Sequence, residues 1–416
     1  MKILHTSTCD ILGGAAIAAY RIHKGLMSIG EASELFCQFK ASHDKEIIGP
    51  ARKIEQLKGS LRFFLENQPL RFYPQRKVNM FSPCFLGHES FVKKISAINP
   101  DIVNMHLIDS GFASIEQIKA INKPLVWTLH TMSPFTGGCF YNNNCDLYKS
   151  RCQKCPLLGS TNQFDLSNTV FSRKRRAWKN INLTVVSPSS WLADCAKSSY
   201  LFKDKKITVI PNGLDTDIFK PLDKNFAREA LSLPKDKKLI LFGASDSLND
   251  ERKGFQFLLP ALNRLFSDEN SENTELVIFG ANEPAQKPNL NIKVNYMGTL
   301  RDIYSMTLCY SAADVMIVPS TQEAFGQTAS ESLACGTPVV AFNVGGLPDI
   351  VDDRITGYLA EPFKSEALEA GIAWALEDEN RHKNLRRQAR EKALRCYDSK
   401  IVAKSYLNLY KEVLGR

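Results

Sequence analysis

Short apolar runs separated by stretches of helical period recur along the whole chain. "MKILHTS", "DIVNMHL", "PLVWTLH" and "LTVVSPS" lie in the first half, followed by "ITVIPNG", "KLILFGA", "TELVIFG", "DVMIVPS" and "TPVVAFN". Alternation of this kind argues for parallel sheets joined by crossover helices, an α/β fold with doubly wound sheets. A second series starts near "PNGLDTDIFKPLD", whose Pro, Gly and Asp density reads as a linker and sets a boundary close to Pro211. The expected domains are residues 1–208 and 209–391. A charged helical tail, 392–416, either packs on the second domain or crosses back to the first.

At 416 residues the chain exceeds one ordinary core. With 44% hydrophobic and 23% charged residues, extensive disorder is excluded. No run of about 18 apolar residues exists, so no spanning helix is expected. The N-terminus has one basic residue and Asp10 interrupts its apolar run, so it reads as a strand and turn rather than a signal peptide. Eleven cysteines without an export signal point to a reducing cytoplasm. The net charge of +9 is uneven: "SRKRRAWK" gathers Arg173, Lys174, Arg175, Arg176 and Lys179, while Arg62, Arg71, Arg76 and Lys77 interleave with Phe63, Phe64, Phe72 and Tyr73. Near an anionic leaflet each such charge contributes roughly 1 kcal/mol, enough for reversible contact. The alternative for the first cluster is a solvated helix face.

Two acids stand eight positions apart in "PSTQEAFGQTASESLACGTPVVA". In open α/β sheets ligands gather where strands end and helices begin. Here "DVMIVPS" is the strand, "TQEAFG" the loop with Glu323, and "QTASESLAC" a helix containing Glu331. The helix N-terminus suits phosphate, and the carboxylates accept paired hydrogen bonds from vicinal hydroxyls. A nucleotide sugar meets both demands. After "KLILFG" another junction carries Arg252 and Lys253, cations suited to a leaving diphosphate. Gly13 and Gly14 lie between the first strand and first helix, where a backbone can approach a ligand closely. They do not form G-x-G-x-x-G. His106 and His130 each close an apolar strand and point toward one rim.

These residues carry a resemblance. "E-A-F-G-Q-T-A-S-E-S-L-A-C-G-T-P-V-V-A", "NVGGLPDIV" and "VIPNGLDTDIFKP" resemble the motifs of retaining glycosyltransferases of family 4, with the GT-B architecture of two Rossmann-like domains facing a cleft. The resemblance implies that Glu323 contacts the donor sugar together with backbone N–H groups of Phe325, Gly326 and Gln327, and that Glu331 binds the ribose. It places Lys253 on the diphosphate, Gly13 and Gly14 over it, and His130 against the donor sugar; His106 is a candidate toward the acceptor. The family usually has an arginine just after "KLILFG". Here "ASDSLND" intervenes and Arg252 adjoins Lys253, while Asp349 stands where a glutamate is common. No catalytic metal is implied, and "DTD", Asp215 to Asp217, belongs to the linker rather than to a metal site.

Cys139, Cys145, Cys152 and Cys155 form C-x₅-C-x₆-C-x₂-C in a polar loop after His130. A structural zinc held by four thiolates, free thiols and redox-formed disulfides are the readings open. The segment resembles one in family 4 enzymes that build bacterial surface polysaccharides, colanic acid among them. The function expected is sugar transfer from a UDP- or GDP-sugar to a hydroxyl of a lipid-linked oligosaccharide, at the cytoplasmic face of a membrane with an anionic surface. A same-architecture epimerase or phosphorylase lacks its signature residues, and nucleic-acid binding would leave Glu323 and Glu331 unexplained.

Overall fold

The computed structural model describes residues 1–78, 80–243, 248–267, 272–300 and 302–416. The chain divides into two compact units, Met1–Pro211 with Val402–Arg416, and Asn212–Ile401. The first unit thus ends three residues later than the sequence suggests. The return of the tail begins at Val402, and residues 392–401 stay with the second unit.

The first unit holds a seven-stranded sheet in the spatial order Ile47–Ile48, Ala32–Phe39, Lys2–Cys9, Ile102–Met105, Leu125–Thr128, Leu183–Ser187, Lys206–Val209. The second holds six strands in the order Lys293–Tyr296, Thr274–Phe279, Lys238–Gly243, Val315–Val318, Val339–Phe342, Gly357–Ala360. All pairings between these strands are parallel. The central strands are buried along both faces, as their unbroken apolar composition requires. Strand order reverses beside Lys2–Cys9 in the first sheet and beside Lys238–Gly243 in the second. In a doubly wound sheet, these switch points open the crevices in which ligands bind.

Helix Ser399–Val413 shows how the tail completes the first unit. Its Val402, Ala403, Tyr406, Leu409 and Tyr410 fall on one helical stripe and pack on Ile3, Ile102, Val126 and Val186 of the sheet. Buried hydroxyls there need partners: Asn104 Nδ2 donates to the Tyr410 hydroxyl at 2.6 Å, and the Thr128 and Tyr406 hydroxyls meet at 3.3 Å. Among the described residues no helix is long and apolar enough to cross a membrane.

Candidate functional site

In the second unit the switch point is occupied by side chains of opposite charge. Lys253 ends the short turn Glu251–Lys253, and Glu323 lies in the loop after strand Val315–Val318. Their strands are neighbours, so residues 70 apart in sequence meet: Lys253 Nζ lies 2.6 Å from Glu323 Oε1. Ser320 Oγ donates to the same oxygen at 3.0 Å. Backbone bonds fix both loops, Thr321 N–H to the Arg252 carbonyl at 2.8 Å and Gly346 N–H to the Glu323 carbonyl at 2.9 Å. Gly345 has φ +57°, and a Cβ there would sit 2.4 Å from the Glu323 carbonyl oxygen, so only glycine permits this close approach.

Gly326, at φ +113°, caps helix Gln327–Ala334; a Cβ on it would strike Leu347 at 2.8 Å. The first-turn N–H groups of this helix lie next to Glu323, giving anion-binding dipoles beside a carboxylate. Phe325 is buried and packs edge-on against Tyr397 at 5.8 Å, so at this residue the backbone is the group available to a ligand. Glu331 is buried in the helix, where its Oε2 accepts from the Tyr310 hydroxyl at 2.8 Å. Burial first, and the Glu331 charge second, hold the Tyr310 phenol well above its ordinary pKa and keep it a donor. Arg252 pairs with Asp250 at 2.5 Å. Of the interrupting stretch "ASDSLND", residues 244–247 lie outside the described residues. Asp349 stands in the short helix Leu347–Ile350, and the Asp215 carboxylate accepts turn N–H groups of Asp217 and Ile218.

In the first unit, Gly13 caps helix Gly14–Ser28 and both glycines are exposed at the carboxyl end of strand Lys2–Cys9. His130 is half-buried, and its Nε2 lies 2.9 Å from His106 Nδ1. His106 is itself buried and its Nε2 lies 2.9 Å from His5 Nδ1. Both ring nitrogens of His106 are therefore occupied within the fold. Sequence reasoning missed Ser320 and Tyr310, which orient the two acids, and His5.

The basic run in "SRKRRAWK" needs correction as a single charged face. Lys174 is buried and donates to the Ser133 and Thr136 carbonyls at 2.5 and 3.2 Å, and Arg173 pairs with Glu116 at 2.6 Å. Only Arg175, Arg176 and Lys179 project outward.

The four loop cysteines surround one small cavity, and the Cys152 sulfur accepts the Gly137 N–H at 3.1 Å. Burial pushes the Cys139 thiol up to about 12 and raises Cys152 and Cys155 as well, favouring neutral thiols. Among the described residues no three His, Cys, Asp or Glu side chains converge on a point that could hold a metal ion. Of the three readings that the spacing leaves open, the arrangement favours free thiols. Chelator is accordingly expected to leave the melting temperature unchanged. One zinc per chain by elemental analysis, with a lowered melting temperature after chelation, would show the thiols closing on a metal in solution.

Residues 12–218 match the family described as Glycosyltransferase Family 4, and residues 223–392 match Glycosyl transferases group 1. The chain is a glycosyltransferase of this group 1 and family 4 type. A D-inositol 3-phosphate glycosyltransferase of Xylanimonas cellulosilytica is 28% identical over 332 residues, covering 76% of this chain and 73% of that protein. Other enzymes of that name reach 32% and 34% identity, over only 40% and 38% of their length. In fold, the glycosyltransferase is similar to the sucrose-phosphate synthase of Thermosynechococcus elongatus, with TM-score 0.69, 20% identity and full coverage of both chains. It is also similar to Anabaena HepE, solved in complex with UDP, with TM-score 0.64, 16% identity and coverage of 99% and 100%. These solved structures establish the GT-B fold of this glycosyltransferase.

Proposed function

We propose that this glycosyltransferase moves a sugar, with retention of anomeric configuration, from a UDP- or GDP-sugar to a hydroxyl of a lipid-linked oligosaccharide in surface polysaccharide assembly. The observation that carries the donor side is the Lys253–Glu323 pair beside the N-terminus of helix Gln327–Ala334. An ammonium and helix N–H groups suit a diphosphate, and a carboxylate suits sugar hydroxyls. On this reading the donor separates the pair: Lys253 turns to the diphosphate and Glu323 accepts from the ring hydroxyls. Charge developing on the departing diphosphate strengthens the Lys253 contact, and positive charge on the sugar ring strengthens the Glu323 contact, so both act chiefly in the transition state. Glu331 is proposed to take the ribose, Gly13 and Gly14 to lie over the diphosphate, and His130 to meet the donor sugar.

Glu323→Gln tests this directly. The glutamine keeps the shape and loses the charge, a difference of about 1 to 2 kcal/mol per charged hydrogen bond, or roughly tenfold in rate. The expected result is that loss in kcat with donor KM changed far less. An unchanged kcat would overturn the assignment of Glu323 to the sugar.

The lipid-linked acceptor rests on helix Lys53–Glu66. Its Ile54, Leu57, Leu61, Phe64 and Leu65 follow helical spacing yet are all about half exposed or more, and Phe72 just beyond is 85% exposed. Helices normally bury such a stripe. Glu66 anchors the end by accepting the Phe85 and Leu86 N–H groups at 3.0 and 2.8 Å, so the outward face is held rather than frayed. Arg52, Lys53, Lys58, Arg71 and Lys77 flank it, the composition of a helix lying in an anionic lipid interface. Replacing Leu57, Leu61 and Phe64 together by serine is expected to abolish co-sedimentation with phosphatidylglycerol vesicles at unchanged melting temperature. Unchanged co-sedimentation would overturn this surface. Loss of a dimer in sedimentation velocity, with no vesicle binding by the parent protein, would assign the stripe to a second copy of the chain.

A further inference from the structure

Three imidazoles run in line from the rim of the first sheet into its core. His130 follows strand Leu125–Thr128, His106 follows Ile102–Met105, and His5 lies within Lys2–Cys9. These strands are adjacent and parallel, with His5 paired to Asn104, two residues before His106, and the rings lie 5.2 Å apart, centroid to centroid, at both steps. The interplanar angles are 30° and 21°, so the nitrogens meet edge to edge at 2.9 Å. His5 and His106 are fully enclosed, and burial holds both rings well below the ordinary imidazole pKa; burial brings His130 down to about 4. The facing titratable group is His23, edge-on to His5 at 6.2 Å, with burial lowering it too and its Nδ1 on Ser33 Oγ at 2.8 Å. All three rings of the line are therefore neutral at pH 7, each carrying one proton.

A neutral imidazole has one donor and one acceptor nitrogen, and a 2.9 Å nitrogen pair holds one proton between them. Two such pairs in series leave two arrangements. Either every proton points outward, with His130 Nδ1 protonated and His5 Nε2 bare, or every proton points inward, with His130 Nδ1 bare and a proton on His5 Nε2. His5 Nε2 is buried and has no hydrogen-bond partner among the described residues. The inward arrangement would strand an N–H in the core, whereas the outward one leaves there only an unprotonated nitrogen. Moving the proton of one ring to its other nitrogen obliges its neighbours to do the same, so the state of His130 is decided at the far end of the line.

We propose that His5 and His106 are positioning residues that hold His130 as the Nδ1–H tautomer, so that it presents a hydrogen-bond donor at the rim. The consequence for transfer rests on the reading that His130 meets the donor sugar: it donates to a sugar oxygen and cannot act as a base. The tautomer itself is independent of that reading.

The test is ¹⁵N NMR of histidine ring nitrogens in the full-length protein at pH 7, with His130 assigned by its absence from His130→Gln. A protonated Nδ1 and unprotonated Nε2 at His130 are expected, and the reverse pattern would overturn the proposal. In His106→Leu the His130 tautomers should mix, with kcat falling on the order of tenfold to a hundredfold, no more than one preorganised donor supplies. His106→Asn, whose amide can replace the Nδ1 donor, should restore part of the loss. Equal kcat in wild type and a folded His106→Leu would overturn the positioning role. Should His106→Leu not fold, His5→Leu and the wild-type spectrum carry the test. The expected tautomer together with full activity in His130→Gln would leave the line intact and overturn the contact between His130 and the sugar.

Discussion

Lys253→Ala is expected to lower kcat a hundredfold to a thousandfold, the effect of removing one preorganised group that meets charge developing in the transition state, about 2.7 to 4 kcal/mol. The expectation follows from where the ammonium sits. It is one-fifth exposed, at the switch point of the second sheet, held by Glu323 at 2.6 Å and by a loop bonded through Thr321 to the Arg252 carbonyl. Its loss leaves the Glu323 carboxylate partly buried without its cation, at a stability cost of about 1 kcal/mol or less after solvent screening. Folding should survive, and the defect should lie in turnover. Arg252→Ala supplies the contrast, because that guanidinium is already paired with Asp250. Its loss should be much smaller. Steady-state kinetics with the cognate nucleotide sugar decide: wild-type kcat in Lys253→Ala would remove Lys253 from the diphosphate, and a larger loss at Arg252 would make Arg252 the cation that replaces the displaced family arginine.

The residues that were legible in sequence, and those that were not, divide along physical lines. Strands buried on both faces announce themselves as continuous apolar runs, and the central strands of each sheet follow that rule. Two of the edge strands do not. Lys293–Tyr296 alternates Lys, Val, Asn and Tyr, and Ile47–Ile48 has only two residues, so neither carries enough pattern to be seen. Glu323 and Lys253 were legible because strand-to-helix junctions can be located from strand pattern alone. Their direct pairing was not, because it depends on which strands lie side by side, and spatial strand order leaves no trace in local periodicity. The histidine line is the same case: three separate strands each contribute one ring, and His5 gives no local hint that its strand neighbours will place His106 against it. The misread basic run is different, because the signal was present. In helix Leu166–Trp178 the buried stripe comprises Val170, Phe171, Lys174, Ala177 and Trp178, spaced as one helical face. Read by period rather than by charge, Lys174 belongs to the core.

That position sets the second large effect expected. Lys174→Glu should unfold or severely destabilise the protein, by at least the 3 to 5 kcal/mol typical of leaving a buried charge uncompensated. The ammonium now donates to the Ser133 and Thr136 carbonyls, and Asp109 is near enough to act on it electrostatically. A carboxylate in its place would face two carbonyl oxygens and a like charge, with no donor to satisfy it. Lys174→Met keeps much of the volume and removes only the donor, so about 1 to 3 kcal/mol is expected there. Arg175→Glu and Arg176→Glu, at exposed positions of the same helix, should stay within about 0.5 kcal/mol of wild type. Urea unfolding of the four variants separates these cases. A Lys174→Glu protein with the wild-type midpoint would mean that the side chain escapes to solvent, and the charged run would then again be a single outward face able to meet an anionic surface.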